Sequence, residues 1–382
     1  AGQGAQTQGA FSEGATFHFG GRHVWKHDQL GISYNAGYIR YGSQAYGYSG
    51  LNQTLAVDYT HMISSHLEFT FVESLARFTQ GGALSNPLEV PGVNVANLNL
   101  SVSSSLQPYD LIYHQTSTQT GITWQKSARL SFSYTAGIFG VARAGPYSVG
   151  NAGFQASTDM NYRLTRKTTL GASYAYTTFS FSHGYASAAS HTVDMIYSYA
   201  LGRSTEFRSR FGFSTFQNNG LTSVPVDPTI AALTGQALGI VEIRRRSNVP
   251  DISAQLVRDF HGKHTASLSY ARGISPGNGY VLTAVQESYG ISYGTKIFRR
   301  YDFALSGGKS SLRTSLGATP LGGFAFSSEW AGVNVSRSLQ HNISANFMVS
   351  YRRYDASGLL GVLPQIVIGT GISWGPGEGR LW

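Results

Sequence analysis

The sequence contains no cysteine in 382 residues, which excludes a disulfide framework, thiolate metal sites, c-type haem attachment and cysteine nucleophiles. Charge is scarce too. Asp, Glu, Lys and Arg make up 12% of the chain, about half the usual share. Aromatics reach 13%, and that balance excludes intrinsic disorder. No window supplies the roughly 18 consecutive apolar residues of a membrane-spanning helix, so helical spans are excluded as well. The opening AGQGAQTQGAFSEG has neither a basic start nor an apolar core, and it fits the expectation of a mature chain whose export signal has been removed.

What the chain does have is a period of two. In the stretch 129–140 one phase reads Leu130, Phe132, Tyr134, Ala136, Ile138, and the other Arg129, Ser131, Ser133, Thr135, Gly137. That is a strand with one greasy and one wet face. The same split recurs at 30–38, 193–201, 265–270 and 343–351. About seven short turns, such as 64–66, 126–128 and 202–204, alternate with about eight longer Gly/Pro/Asn-rich connections, including 80–108, 218–247 and 313–323. The shortest of the long set is 275–279.

This alternation predicts about 16 antiparallel strands of roughly 10–13 residues, the length a tilted transmembrane strand requires. The expected fold class is all-β: a transmembrane antiparallel up-and-down β-barrel with short periplasmic turns and long extracellular loops. A soluble sandwich, propeller or solenoid is the competing reading; uncharged apolar phases through the strand centres and the lack of a repeat count against it. The barrel is expected over 29–375, with 376–382 as a tail. Residues 1–28 are expected to be a periplasmic or lumenal segment, the alternative being a further strand at 15–25. Aromatics suggest two girdles: Trp25, Trp124, Tyr162, Tyr301 and Trp374 near the short turns, and Tyr38, Tyr109, Phe139, Phe179, Phe216, Tyr280, Phe324 and Tyr354 near the long loops. Thr116, Thr118 and Thr120 fit poorly, because they make both faces of their strand polar.

In architecture the chain resembles Gram-negative outer-membrane β-barrel proteins of porin size. The segment IVIGTGISW at 366–374 resembles the aromatic-ended strand such proteins present to the barrel-assembly machinery, although GPGEGRLW follows it here. The resemblance implies an outer-membrane location, contact with outer-membrane lipid including lipopolysaccharide, and a homo-oligomer such as a trimer or a larger assembly.

Projecting the wet phase inward gives a wall of Ser, Thr, Gly, Asn and Gln with balanced charges. The pore-lining candidates are Asp58, Glu68, Asp159, Asp194, Glu206 and Asp302 against Arg129, Arg163, Arg208, Arg210 and Arg352. Asp194 is expected diagonal to Arg210. Much of the formal charge of +9 sits in short turns, so it argues neither for an anion pore nor for nucleic-acid binding. The long loop carries one helix signal, Asp227 as cap and Pro228 at the first position, followed by Thr229, Ile230, Ala231, Ala232 and Leu233. This segment either folds inward as a constriction or packs on the barrel rim. Arg244, Arg245 and Arg246 end the same loop and complete the constriction candidates; they bind the phosphates of surface lipid, attract anionic solutes or stay solvated.

Histidines are scattered and no Ser, His and acid set is readable, so no enzyme, metal or cofactor is expected. The expected function is a porin-like channel passing ions and small polar solutes. The alternative is a loop-plugged barrel serving as a scaffold or surface-attachment component.

Overall fold

The computed structural model describes residues 12–41, 49–79, 112–144, 148–182, 186–260, 264–279, 281–297, 300–314, 325–340, 343–357 and 361–374. They form 17 strands and one short helix. The first nine strands are β1 (Ser12–Val24), β2 (Asp28–Tyr41), β3 (Gly50–Ser64), β4 (Leu67–Phe78), β5 (Tyr113–Gln125), β6 (Leu130–Arg143), β7 (Asn151–Arg163), β8 (Thr168–Phe181) and β9 (Ala186–Ala200). After β10 (Thr205–Pro225) and α1 (Pro228–Thr234) come β11 (Leu238–Phe260), β12 (His264–Gly277), β13 (Leu282–Ile297), β14 (Tyr301–Thr314), β15 (Ala325–Gln340), β16 (Ile343–Ser357) and β17 (Gly361–Trp374).

Every strand pairs antiparallel with its neighbours in the chain, giving 16 successive ladders from β1·β2 to β16·β17. The short turns expected from the sequence all fall between strands. The strand beyond the expected sixteen is β1, whose 13 residues pair with β2 throughout, so this stretch takes the further-strand alternative. No ladder joins β1 to β17 among the described residues. The sheet nonetheless curls on itself, because β9 also touches β13.

Side-chain alternation gives the curled sheet a convex apolar face and a concave polar one. In β6, Tyr134 and Ile138 are exposed on the convex side, whereas Thr135 faces Ser157 and Ser133 faces Asp159 on the concave side. Phe17, Val193, Phe213 and Ile368 each expose 60% or more of their surface on the convex side. A belt of that kind is stable against hydrocarbon and not against water. Trp25, Trp124 and Tyr162 are exposed near the short turns, as a girdle requires, and Tyr38 is exposed near the long loops.

The rest of the expected outer girdle is corrected by the structure. Phe139, Phe179, Phe216 and Tyr354 are 2–6% exposed, and register puts them on the concave face with Gly153, Ala188, Ser190 and Ser328. Each stands one residue out of phase with the greasy positions beside it, so it points inward. Tyr109, Tyr280 and Phe324 lie outside the described residues.

Candidate functional site

At mid-height on the concave face, Asp159, Ser173, Asp194, Gly212 and Asp251 stand directly opposite one another across β7 to β11. The Ser173 hydroxyl donates to Asp159 Oδ1 at 2.5 Å, and Arg210 Nη2 donates to Asp159 Oδ2 at 2.9 Å. Thr192 and Ser214 share a hydroxyl hydrogen bond of 2.5 Å, and Ser214 also reaches Asp251 at 3.4 Å. Gly212 is needed here: a Cβ would meet the Val193 carbonyl oxygen and the Asp194 carboxylate. Asp194 is 7% exposed, and its Oδ1 has no hydrogen-bond partner. Three carboxylates around a single guanidinium make this band locally negative.

The sequence-read wall residues fall as follows. Asp58, Glu68, Asp159, Arg163, Asp194, Glu206, Arg208, Arg210, Asp302 and Arg352 occupy concave-phase positions, while Arg129 lies in the exposed turn before β6. Asp194 is diagonal to Arg210 in register, as expected, but the guanidinium bonds Asp159. Glu206 is held by Arg208 through two bonds of 2.7 and 2.9 Å, and Asp58 by Arg22 at 3.2 Å. Sequence reasoning missed Asp251, which lies just beyond the connection expected at 218–247. Its signal was that it shares phase with Ser253 and Gln255. It also missed Asp28, which the β2·β3 register sets opposite His61, giving a 2.7 Å contact to His61 Nδ1 and a 2.5 Å bond from the Tyr59 hydroxyl.

Above this band, at the long-loop end, the concave space is filled. Phe139, Phe179, Phe181, Ala186 and Ala188 of β6, β8 and β9 form one buried cluster, against which Ile274 and Leu282 of β12 and β13 pack from the opposite wall. Val281, just before β13, and Ala284, Leu312, Phe326 and Tyr354 of β13 to β16 form a second buried cluster. The bridge is the turn between β12 and β13. Ser275, Asn278 and Val281 are at most 5% exposed, and the Val149 amide donates to the Gly279 carbonyl at 3.1 Å. Arg143 Nε donates to the Val149 carbonyl at 3.2 Å, and its guanidinium also lies 5.9 Å from the centroid of the Tyr113 ring.

The backbone of this turn is special. Gly277 and Gly279 have φ of 77° and 90°, and a Cβ on Gly277 would run into the Val281 carbonyl. Thr283, fully buried, has φ of 42°. Conformations of this kind persist where surrounding structure over-determines them.

α1 takes neither of its two expected courses among the described residues, the inward constriction or packing on the barrel rim. α1 forms where the sequence places it: the Asp227 side chain accepts from the Thr229 amide at 2.8 Å, and that bond holds its carboxyl below the ordinary range. But α1 has no buried residue, and Leu233 is 83% exposed. The reason is its base. β10 and β11 run as a paired hairpin well past their neighbours, so Ile230 and Leu233 are carried away from the mouth, and Arg244, Arg245 and Arg246 are exposed on that hairpin. The element that turns inward is instead the short outer connection between β12 and β13.

No protein-family model matches the sequence, and no curated protein does. Among solved structures, the chain is similar to the ferric citrate transporter FecA in its unliganded form. The identity is 8% and the TM-score 0.52, covering 97% of this chain and 62% of that one. It is equally similar to the copper transporter OprC, at 8% identity and a TM-score of 0.52, covering 97% of this chain and 66% of that one. The chain thus spans less than two thirds of the length of either. These neighbours overturn the expectation of a passive porin-like channel: by name they are transporters, one of ferric citrate and one of copper. The chain has the fold of Gram-negative outer-membrane β-barrel proteins, and its place is the bacterial outer membrane.

Proposed function

We propose that this chain is the barrel of an outer-membrane transporter that rests closed at its outer mouth and opens for a solute it recognises. The observation that carries the reading is the meeting of β6 to β9 with the β12–β13 turn across the concave space, which leaves an apolar seal above a polar wall. The mid-wall band of Asp159, Asp194 and Asp251 around Arg210 favours a compact cationic solute. The role is non-enzymatic: binding and conformational gating, with no bond made or broken.

The same reading takes the sheet as closed, with β1 beside β17. Both strands run from the long-loop end to the short-turn end, so with an odd strand number the closing ladder is parallel.

Planar-bilayer recording tests the function. Folded wild-type protein is expected to be electrically silent. Phe139→Ala/Phe179→Ala/Leu312→Ala, which hollows the seal, is expected to give stepwise currents with a cation-selective reversal potential that Asp194→Asn/Asp251→Asn diminishes. Steady open current from the wild type would sink the proposal.

A further inference from the structure

The convex face of β12 to β16 carries a sharp boundary. One directly opposed row reads Leu268, Ile291, Gly307, Ala331, Tyr351 and, on β17, Ile366. The next row toward the long loops reads Tyr270, Tyr289, Lys309, Glu329 and Arg353. A step of two residues, one same-face position, along five strands thus changes the surface from hydrocarbon-compatible to charged. A charged side chain on the lipid face of a barrel costs about 2–4 kcal/mol at the bilayer midplane and little at the interface. The boundary therefore marks where the outer leaflet's acyl chains give way to headgroups.

Above it, Arg272, Glu287 and Asp355 lie on the same face, and Arg313 follows one row higher. The acids are partly engaged: the Tyr270 and Tyr289 hydroxyls donate to Glu287 at 3.0 and 2.7 Å, and Lys309 pairs with Glu329 at 2.8 Å. Arg313 and Arg353 are exposed and make no hydrogen bond to a carboxylate among the described residues. The surface thus offers two guanidinium forks, tyrosine rings with fixed hydroxyls, and carboxylate acceptors over three successive rows. Guanidinium groups match phosphate. Aromatic faces and carboxylates match the C–H and O–H groups of a sugar.

We propose that this sector binds a phosphorylated glycolipid of the outer leaflet, with Arg313 and Arg353 on the phosphates and the Tyr270, Tyr289 and Glu287 group on the sugar. The proposal rests on the convex face and is independent of the transport reading. A glycerophospholipid would use the arginines but leave the tyrosine–carboxylate group without a sugar.

The test compares wild type, Arg313→Ala/Arg353→Ala and Arg313→Lys/Arg353→Lys. Each is folded in nanodiscs containing diphosphorylated lipid A, dephosphorylated lipid A or phosphatidylglycerol, then extracted and weighed by native mass spectrometry. Folding is checked by heat-modifiable gel mobility, with the turn variant Arg166→Ala/Lys167→Ala as a charge-loss control. Wild type and the turn variant are expected to retain diphosphorylated lipid A about tenfold better than the alanine pair, with the lysine pair between. Dephosphorylated lipid A and phosphatidylglycerol are expected to be retained poorly by all. Equal retention by wild type and the alanine pair overturns the proposal. So does equal retention of phosphatidylglycerol, or a dimer mass in place of bound lipid.

Discussion

Gly277 sits at the pivot of the seal, at a φ of 77° and against the Val281 carbonyl. An alanine there must enter a left-handed conformation and displace buried backbone, at a cost of about 1–3 kcal/mol. Gly277→Ala is therefore expected to lower the urea midpoint of unfolding followed by tryptophan fluorescence. Gly21, with open space where a Cβ would stand, serves as the comparison, and Gly21→Ala should leave the midpoint unchanged. Equal effects would remove the special status of the turn. The inward aromatics were legible at this scale. Phe139 directly follows Ile138, so if one faces lipid the other cannot, and an aromatic in the wet phase was itself the sign of a filled interior.

At the scale of elements, sealing the mouth and exposing an edge are one event. β12 pairs with β11 no further than Arg272 opposite Ile252, then bends inward toward the buried turn. Pro250 and Pro276 flank the parting, and neither has an amide to donate to a continued ladder. Among the described residues, the outer part of β11, including Arg244, Arg245 and Arg246, has β10 as its sole ladder partner. Trypsin is expected to cut folded, membrane-embedded protein first at these three arginines, leaving two fragments that stay together until heated. First cleavage at Arg166 or Lys167 instead would contradict the exposed edge. The spacing of apolar residues showed that strands lie here; it could not show where one strand leaves its neighbour, because parting is decided by what the turn packs against.

At the scale of the whole molecule, the β1–β17 seam is directly testable. Because the native chain has no cysteine, pairs introduced one at a time into residues 15–19 of β1 and 366–370 of β17 report on it cleanly. A closed barrel is expected to give disulfide cross-links for one parallel register and not for antiparallel ones. Failure across the full panel in folded protein would mean that the edges do not meet. The charged and apolar rows on β12 to β16 also exist only at this scale, since they combine residues that inter-strand register brings together from five strands.

The sequence by itself determined the strand period, the turn positions, the outer-membrane fold class and the phase of most wall residues. These follow from side-chain alternation and turn chemistry, which are local. Tertiary structure alone decided that the 277–281 turn, and not α1, fills the mouth, and that Arg210 bonds Asp159 rather than Asp194. It also decided that the lipid-facing charges form a row. These depend on inter-strand register and on which distant wall faces which turn, and contacts across a curled sheet leave no periodic trace along the chain.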